Sequence, residues 1–438
     1  MDATQKRIVE RIDEHREEII AFARDIYTHA ELGYKETRTA KKFAEALKSR
    51  NLPVIKEHLA VTGVKGYLKK EAAGPTVALI GELDALRIPT HKFANPETQA
   101  AHCCGHHAQL AGVAGAAFAL ADPEVSAALD GNVIFFAVPA EEYGEIEFKN
   151  QLKAEGKIRY GGGKCELIRI GAFDDVDLSL AHHSGEGLGV GNGSSNGFVS
   201  KVIRIIGRAA HAAARPHLGI NALNAAALGH TALQYQRETF RDEDSVRVHP
   251  ILTKGGDLVN VVPDEAVLEA LVRAKNTEAI LDANEKTDRS FKAGADALGA
   301  GYEITTMPGY LPQIPAAAHP ALITAVELAA PGREFKLSSG AHGAGSTDVG
   351  DVQHILPTLT FHTGGVRGAF HSPEFEVTDE DEAYILTAKI FALGAYELLK
   401  DGAAQAREAV ENYKAPFTKD TYIAYMESLM KTEKKDLA

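Results

Sequence analysis

Cysteine, histidine and carboxylate side chains gather in a few short segments of this 438-residue chain. In HCCGHH, residues 102–107, Cys104 and His106 stand on either side of a glycine that permits a tight turn. VPAEE ends in Glu141 and Glu142, while LAHHSG and GAFHSPEF add histidines far along the chain. Thiolate, imidazole and carboxylate groups are the ligands that Zn²⁺, Mn²⁺ and similar divalent ions take in proteins. The pattern therefore predicts a metal centre assembled from several segments.

Most of these segments directly follow an apolar run that is typical of a strand. Glu82 and Asp84 end TVALIGELD, a glutamate pair ends NVIFFAVPAEE, and a histidine pair ends DVDLSLAHH. Helical patterns separate the strands, among them HAQLAGVAGAAFALAD and, late in the chain, EDEAYILTAKIFALGAYELLK. This alternation predicts an α/β domain of metallopeptidase type on a mainly parallel sheet, with ligands at the carboxyl ends of the strands. A buried strand that delivers two glutamates also needs a compensating charge, which a metal ion supplies.

The middle of the chain has a different order of elements. From SKVIRIIG to YEITTMP the patterns read strand, helix, strand, strand, helix, strand, which is the order of a ferredoxin-like α+β sandwich. We therefore expect an inserted domain at 197–309 and a discontinuous metal-binding catalytic domain formed by 1–196 and 310–438. The charged stretch 402–438 is expected to form one or two surface helices with a frayed end.

Composition limits the partners and the compartment. A formal net charge of −13 argues against nucleic acid or an anionic membrane as the main partner. Three cysteines, two of them adjacent, do not form a disulfide framework, so a reducing, cytoplasmic setting is expected. The charged amino terminus has no apolar core of a secretion signal, and the most apolar stretch is too short to span a bilayer. We expect a soluble protein.

A set of motifs occurs in one order along the chain: CCGHH, VPAEE, DDVDLSLAHH, GRAAHAAARPHLGINALNAA, GGDLVNVVPDEA, GSTDVGD and HSPEF. Together they resemble the metallo-amidohydrolases, the aminoacylase and carboxypeptidase family of metallopeptidases. The likeness extends over residues 5–400 and is greatest for the aminobenzoyl-glutamate hydrolase branch, at ELDAL, HAAARPHLG and GSTDVGD. The resemblance implies hydrolysis of a C–N bond in a small-molecule substrate.

The resemblance also implies a divalent cofactor, Mn or Zn, with one or two ions per chain. The implied ligands are Cys104, His106, Glu142, His183 and His371. Glu141 would be the general base that takes a proton from metal-activated water, and Asp84 would be an acid that orients a ligand. His182 stays an alternative to His183, since a local shift of one residue exchanges the two.

In the family the inserted domain acts as a lid and forms a homodimer. Its histidine, here His211, would cross into the partner's active site to stabilise the developing negative charge, with help from Asn260. Arg215 and His217 in the same domain are candidate binders of a substrate carboxylate. The predicted assembly is therefore a homodimer whose inserted domain completes the site.

One position departs from the family pattern Cys-Gly-His-Asp, because this chain has His107 in place of the acid. Either the exchange is tolerated, or the loss of a carboxylate beside the ions changes the metal count and the substrate. In the second case the activated water would attack an electron-poor aromatic carbon and expel ammonia. Hydrolytic deaminases of this kind belong to the family, and the overall resemblance together with CCGHH implies our main prediction, an aminohydrolase that deaminates 5-nitroanthranilate in the degradation of aromatic compounds. The alternative is an amidohydrolase that cleaves an N-acyl amino acid such as aminobenzoyl-glutamate.

Two other classes of function remain as alternatives. Cys104 with His106, or Ser346 with Asp348, could supply a nucleophile. The spacing of the first pair favours a shared ligand, and the second pair favours the cap of a following helix. The chain could also be a binding relative without activity, although Glu141 beside Glu142 favours an enzyme because the base has no structural need to be there.

Overall fold

A computed structural model describes residues 1–437 of the chain. Its α-helices are α1 (Ala3–Glu14), α2 (Arg16–Thr28), α3 (Thr37–Lys48), α4 (His106–Leu120), α5 (Pro123–Ala127), α6 (Ile146–Ala154), α7 (Gly163–Arg169), α8 (Ala222–Gln236), α9 (Thr277–Ala297), α10 (Pro320–Ala329), α11 (Val349–Gln353), α12 (Thr387–Leu399), α13 (Ala404–Asn412) and α14 (Lys419–Ser428). Within 1–437, no helix combines the length and the apolar character that a membrane crossing requires.

The strands are β1 (Val54–Leu59), β2 (Gly63–Tyr67), β3 (Thr76–Glu82), β4 (Leu86–Arg87), β5 (Ala100–Ala101), β6 (Asn132–Val138), β7 (Leu178–Ser184), β8 (Gly189–Val190), β9 (Gly197–Ile206), β10 (Arg247–Lys254), β11 (Glu265–Ala274), β12 (Gly301–Pro308), β13 (Lys336–Leu337), β14 (Thr358–Thr363), β15 (Val366–Arg367), β16 (Glu376–Val377) and β17 (Lys431–Lys435). The chain divides into two compact units, each of which has its own sheet.

The first unit comprises residues 1–193, 314–341 and 351–419. Its eight-stranded sheet has the order β1-β2-β6-β3-β7-β14-β8-β13. At the centre, β3 runs parallel to β6 and β7, and β7 runs parallel to β14, so the carboxyl ends of these four strands meet at one edge. Helix α4 is buried along its whole length, and its small residues let α12 approach, since a Cβ at Gly112 would lie 2.5 Å from Thr387 Cγ2. The predicted α/β domain on a mainly parallel sheet is confirmed.

The second unit comprises residues 194–313, 342–350 and 420–437. Its antiparallel sheet has the order β10-β11-β9-β12-β17, and α8 and α9 pack on it around buried apolar side chains such as Ile203 and Phe291. The first four strands with their two helices follow the predicted ferredoxin-like order. Lys201, buried in this unit, lies with its Nζ 2.6 Å from Oδ1 of Asp288, so its charge is compensated.

The carboxyl-terminal segment forms the expected helices, α13 and α14, but its end is a strand where a frayed end was expected. Residues 431–435 are the strand β17, which pairs with β12 from Thr306↔Lys431 to Tyr302↔Lys435. Residues 420–437 accordingly belong to the second unit, whereas all of 310–438 was expected to lie in the catalytic domain. The physical reason is that the outer border of β12 offers unpaired backbone groups, which the terminal segment satisfies.

Candidate metal centre

The predicted ligands of the first unit lie at the carboxyl edge of its sheet. Strand β3 ends at Glu82, β6 leads to the two glutamates of VPAEE, and β7 contains His182 and His183. Helix α4 begins at His106 directly after Gly105, whose φ is +89°. A Cβ at this position would lie 2.4 Å from Ser184 Oγ, so both the conformation and the space require glycine here.

Three groups of side chains each bring their ligand atoms within 4.8 Å of one another. The groups are Cys104 with His106 and His183, Cys104 with Glu142 and His371, and Glu82 with His106 and Glu141. Cys104 Sγ lies 3.4 Å from His183 Nε2, and His371 Nε2 lies 3.1 Å from Glu142 Oε1. The structure thus brings all five predicted ligands together, although they come from distant parts of the chain.

Backbone contacts orient the two central imidazoles. The Nδ1–H of His106 donates to the carbonyl of Asp84 at 2.8 Å, and the Nδ1–H of His183 donates to the carbonyl of Ser184 at 2.7 Å. Each ring therefore turns its Nε2 towards the cluster, and in the neutral ring the lone pair of this nitrogen can bind a metal. Asp84 also accepts the backbone N–H of Glu142 on Oδ2 at 2.9 Å, so one buried residue touches two of the candidate ligands.

The donor set fits a divalent cation. His106 Nε2 and Glu142 Oε1 are buried, and neither makes a well-directed hydrogen bond within residues 1–437. Burial disfavours a charged imidazole, yet Glu82 and the Cys104 thiol raise the pKa of His106 above its usual value. Burial raises the pKa of the Cys104 thiol as well. A cation bound at this place would take over the role of these protons, because metal binding displaces protons from its ligands.

Glu141 and Glu82 lie on the other side of His106. Glu141 is almost buried, and its Oε2 lies 3.9 Å from His106 Nε2. Glu82 Oε2 lies 3.0 Å from the same nitrogen. Burial raises the pKa of Glu82, but Lys164 and His106 outweigh it and lower that pKa to about 2. Glu82, which the sequence placed among the acids at strand ends without a specific role, is therefore a further candidate ligand.

Two polar partners of Glu82 were missed from sequence. Lys164 Nζ lies 2.6 Å from Oε1, and Gln109 Nε2 donates to Oε2 at 2.8 Å. Gln109 follows His106 by one helical turn, a spacing that could have drawn attention to it. Lys164 follows the glycines of YGGGKCE, where α7 begins, and a lysine at a helix entry carries no signal of burial.

His182 and His107 do not join the cluster. Because successive side chains of β7 point to opposite faces, His182 turns inward, where its Nε2 hydrogen-bonds Thr363 Oγ1 at 2.7 Å. His107 is fully buried and stacks on Tyr27, with ring centroids 4.5 Å apart. Burial, with His106 as a second cause, lowers the pKa of His107 to about 3. His107 is thus a neutral ring behind the cluster, outside all three ligand groups.

The loop that carries His371 is held to the HCCGHH segment. The backbone N–H of His371 donates to the carbonyl of Cys103 at 2.9 Å, and its φ of +61° is unusual for a residue with a side chain. Cys103 itself packs in an apolar cluster with Tyr27 and Phe375. His371 is the most exposed of the candidate ligands, with 51% of its side chain accessible.

The candidate residues of the inserted domain, His211, Arg215, His217 and Asn260, are all exposed on the second unit. His211 Nδ1 accepts the backbone N–H groups of Ala213 and Ala214 at 3.2 and 3.1 Å. In the neutral ring, Nε2 therefore carries the hydrogen and is available as a donor on an exposed residue. The carbonyl of Asn260 accepts the N–H of Ala212 at 3.0 Å, so the segments of His211 and Asn260 are neighbours within this unit.

The segment of the serine alternative has structural contacts. Thr347 Oγ1 accepts the N–H of Val349 at 3.3 Å where α11 begins, and Ser346 Oγ accepts from Arg273 Nη1 at 3.0 Å. These contacts agree with the capping interpretation of this segment.

Comparison with known proteins identifies the inserted domain. Residues 194–297 match the family model M20_dimer, described as a peptidase dimerisation domain. The YXEP protein of Bacillus subtilis, a dinuclear metal-binding peptidase of the M20 family, has a similar solved structure. Its TM-score is 0.62 at 24% identity, and the match covers 88% of this chain and 99% of that one. The likeness extends over both units and shows that they share the fold of that peptidase.

Two curated relatives are enzymes that cleave C–N bonds. The Xaa-Arg dipeptidase of Mus musculus is 29% identical over 422 residues, which cover 91% of this chain and 90% of the relative. A subunit of the p-aminobenzoyl-glutamate hydrolase of Escherichia coli K12 is 30% identical over 284 residues, which cover 63% of this chain and 54% of the relative. These relatives confirm the predicted enzyme class and favour the amide alternative over deamination of an arylamine. The chain is a metal-dependent hydrolase of C–N bonds that has the M20 peptidase fold with its dimerisation domain.

Proposed function

We propose that this protein hydrolyses the amide bond between an acyl group and the nitrogen of an amino acid, with an aminobenzoyl-glutamate as the first candidate substrate. The observation that carries the proposal is the position of Glu141, whose Oε2 lies 3.9 Å from His106 Nε2, next to the candidate metal ligands. Similarity to the p-aminobenzoyl-glutamate hydrolase subunit supports the choice of substrate.

The cofactor is a divalent ion, Mn or Zn, held by the cluster. Its ligands are Cys104, His106, Glu142, His183 and His371, with Glu82 as a further donor. A bound ion supplies a Lewis acid that polarises a carbonyl and lowers the pKa of water towards about 7. Asp84 keeps the metal-binding nitrogen of His106 aimed at the cluster through its backbone carbonyl, and it holds the loop of Glu142 through its carboxylate.

Glu141 moves the proton in the reaction. It removes a proton from the attacking water, whose oxygen bonds to the carbonyl carbon of the amide, and it then delivers the proton to the leaving nitrogen. The C–N bond breaks, so one water yields a carboxylic acid and a free amino acid. A carboxylate that is almost buried, as Glu141 is, can hold the proton between these two steps without losing it to bulk water.

The inserted domain completes the site from a second subunit. The protein acts as a homodimer in which the Nε2–H of His211 donates to the negative charge that develops on the carbonyl oxygen. Asn260, on the neighbouring segment, assists it, and Arg215 and His217 bind the carboxylate of the substrate. The match of residues 194–297 to a dimerisation domain supports this assembly.

Deamination of 5-nitroanthranilate is the second candidate function. The observation that favours it is the presence of a histidine, His107, at the position where the family has an acid. The neutral ring removes a negative charge from the surroundings of the cluster, where the family has an acid. Less negative charge favours one divalent ion over two. In this reaction water would replace the amino group on the ring carbon and release ammonia.

One set of assays separates the two candidates. The purified protein, with its metal content measured by elemental analysis, is incubated with p-aminobenzoyl-glutamate and with 5-nitroanthranilate. Release of p-aminobenzoate, with no ammonia from the nitroaromatic, is the expected result. If the protein releases ammonia from 5-nitroanthranilate and leaves p-aminobenzoyl-glutamate intact, the amide reaction is wrong and deamination is the function.

A further inference from the structure

The loop that presents the two glutamates contains a residue in an unfavourable conformation. Ala140, directly before Glu141, has a φ of +48° and is fully buried. Residues with a Cβ rarely adopt this left-handed conformation, and they keep it only where the surroundings fix it. The direction in which Glu141 and Glu142 leave the end of β6 therefore depends on what holds Ala140.

Contacts from three directions hold the backbone of Ala140. Its N–H donates to Glu36 Oε1 at 2.8 Å, and its carbonyl accepts the N–H of Gly163 at 3.1 Å. On the third side, a Cβ at Gly33 would lie 3.1 Å from Cα and Cβ of Ala140, so a glycine there lets the two segments touch. Among these contacts, the one with Glu36 is the only one made by a side chain.

The carboxyl group of Glu36 is fixed by its surroundings. It is fully buried at the start of α3, and its second oxygen, Oε2, accepts the hydroxyl of Thr62 at 2.7 Å. Both carboxyl oxygens are thus engaged in the interior of the first unit. Glu142, two residues after Ala140, has its N–H held by Asp84 Oδ2 at 2.9 Å. Two buried acids therefore hold the backbone N–H groups of the residues before and after Glu141.

We propose that Glu36 is a positioning residue, which holds Ala140 in its left-handed conformation and thereby aims Glu141 and Glu142 at the metal cluster. The effect on turnover rests on the proposed function of Glu141, whereas the effect on metal binding through Glu142 does not. This role requires a side chain long enough to accept a hydrogen bond from the Ala140 N–H. It does not require the negative charge of Glu36.

Two variants of Glu36 separate the effect of side-chain length from the effect of charge. Glu36→Asp keeps the carboxyl group but shortens the side chain, so the contact with Ala140 is lost. Glu36→Gln keeps the length, and its amide oxygen can still accept the Ala140 N–H. We expect Glu36→Asp to weaken Mn²⁺ binding, measured by calorimetry on the full chain, by about tenfold or more, as loss of an outer partner of a ligand does. Glu36→Gln should bind Mn²⁺ as the wild type does.

A second substitution tests the conformational part of the proposal. Glycine adopts a left-handed φ without strain, so Ala140→Gly should need no support from Glu36. The double variant Glu36→Asp/Ala140→Gly should regain most of the Mn²⁺ affinity and most of the kcat that Glu36→Asp loses, while KM changes little. Thermal unfolding of each variant shows whether an affinity change only follows lost stability.

The outcomes are distinct. Weaker Mn²⁺ binding in Glu36→Gln than in Glu36→Asp would show that charge matters and would overturn the proposal. Failure of Ala140→Gly to restore affinity would overturn it too, because Glu36 would then have a general structural role. If the wild type cleaves none of the substrates, the proposed function fails, and the Mn²⁺ affinities still decide the role of Glu36.

Discussion

Lys164 Nζ lies 2.6 Å from Glu82 Oε1, and both side chains are buried at the edge of the metal cluster. The ammonium group compensates the charge of a buried carboxylate whose other partners, Gln109 and His106, contact only its second oxygen, Oε2. Glu82 can therefore remain ionised beside His106 before any metal ion is bound.

Removing this ammonium group should destabilise the protein strongly. We expect Lys164→Met to lower the free energy of unfolding by about 3 kcal/mol or more, because it removes the ammonium partner of a buried carboxylate. The free energy is measured by urea unfolding with a chelator present, so that no bound metal compensates Glu82. The control is Lys164→Met/Glu82→Gln, which removes both charges and should regain at least half of the loss. A single variant within about 0.5 kcal/mol of the wild type would show that the pair is unimportant.

Replacing the general base should abolish turnover and spare the metal. Glu141→Gln keeps the shape of the side chain but cannot take a proton from water, so kcat should fall by at least about a hundredfold. The metal content per chain, measured on the same sample, should stay at the wild-type value. Glu147→Gln on the exposed start of α6 is the matched control and should keep full activity. Near-normal turnover by the Glu141 variant would assign the base to another residue.

Two adjacent histidines should respond differently to removal. His183→Ala takes away a ring that lies 3.4 Å from Cys104 Sγ, so elemental analysis should find less metal per chain. His371→Ala should have the same effect, although the residue lies far along the chain from the other ligands. His182→Ala should keep the metal and lose about 2 kcal/mol or more of stability, because it removes the hydrogen bond to Thr363 and the packing of a buried ring on Phe361. Retained metal in His183→Ala, or lost metal in His182→Ala, would contradict the assignment.

Glu36 should make stability depend on pH. Burial, and after it the neighbouring Asp84, raises the pKa of Glu36 to about 8. An unfolded glutamate has a pKa of about 4.3, so between these values the folded protein holds a proton that the unfolded chain has lost. The contribution of this group to stability should therefore fall as the pH rises from about 4.5 to about 8.

The comparison that isolates this effect uses Glu36→Gln, which cannot ionise. The difference in free energy of unfolding, wild type minus variant, should decrease across this pH interval and level off above it. Urea unfolding of both proteins at several pH values measures the difference. A difference that is independent of pH would show that Glu36 ionises normally in the folded protein.

The edge at which the site forms could be predicted from sequence, because parallel strands end together and the unusual residues follow those strands. The choice between His182 and His183 could not be made from spacing alone. It follows from the bounds of β7, which decide the face to which each side chain points. The class of the inserted domain was also predictable, since its order of strands and helices is local information.

Long-range pairs between buried polar groups could not be predicted. Lys164 meets Glu82 and Glu36 meets Ala140 only because distant segments pack together. In the sequence, a lysine after glycines and a glutamate before a helix both indicate solvent-exposed positions. Charged residues are rarely buried, so a rule based on residue type places both on the surface.

Strand β17 limits how subunits can join through the second unit. It forms one border of the five-stranded sheet and carries three lysines, Lys431, Lys434 and Lys435, and such charges discourage the addition of another strand. The opposite border, β10, exposes the apolar side chains of Ile251 and Leu252 and is the more receptive of the two. If two copies of the sheet pair through their β10 strands, neither copy has a second border that accepts a strand. Growth by strand addition would then stop at a dimer and would not continue into a fibre.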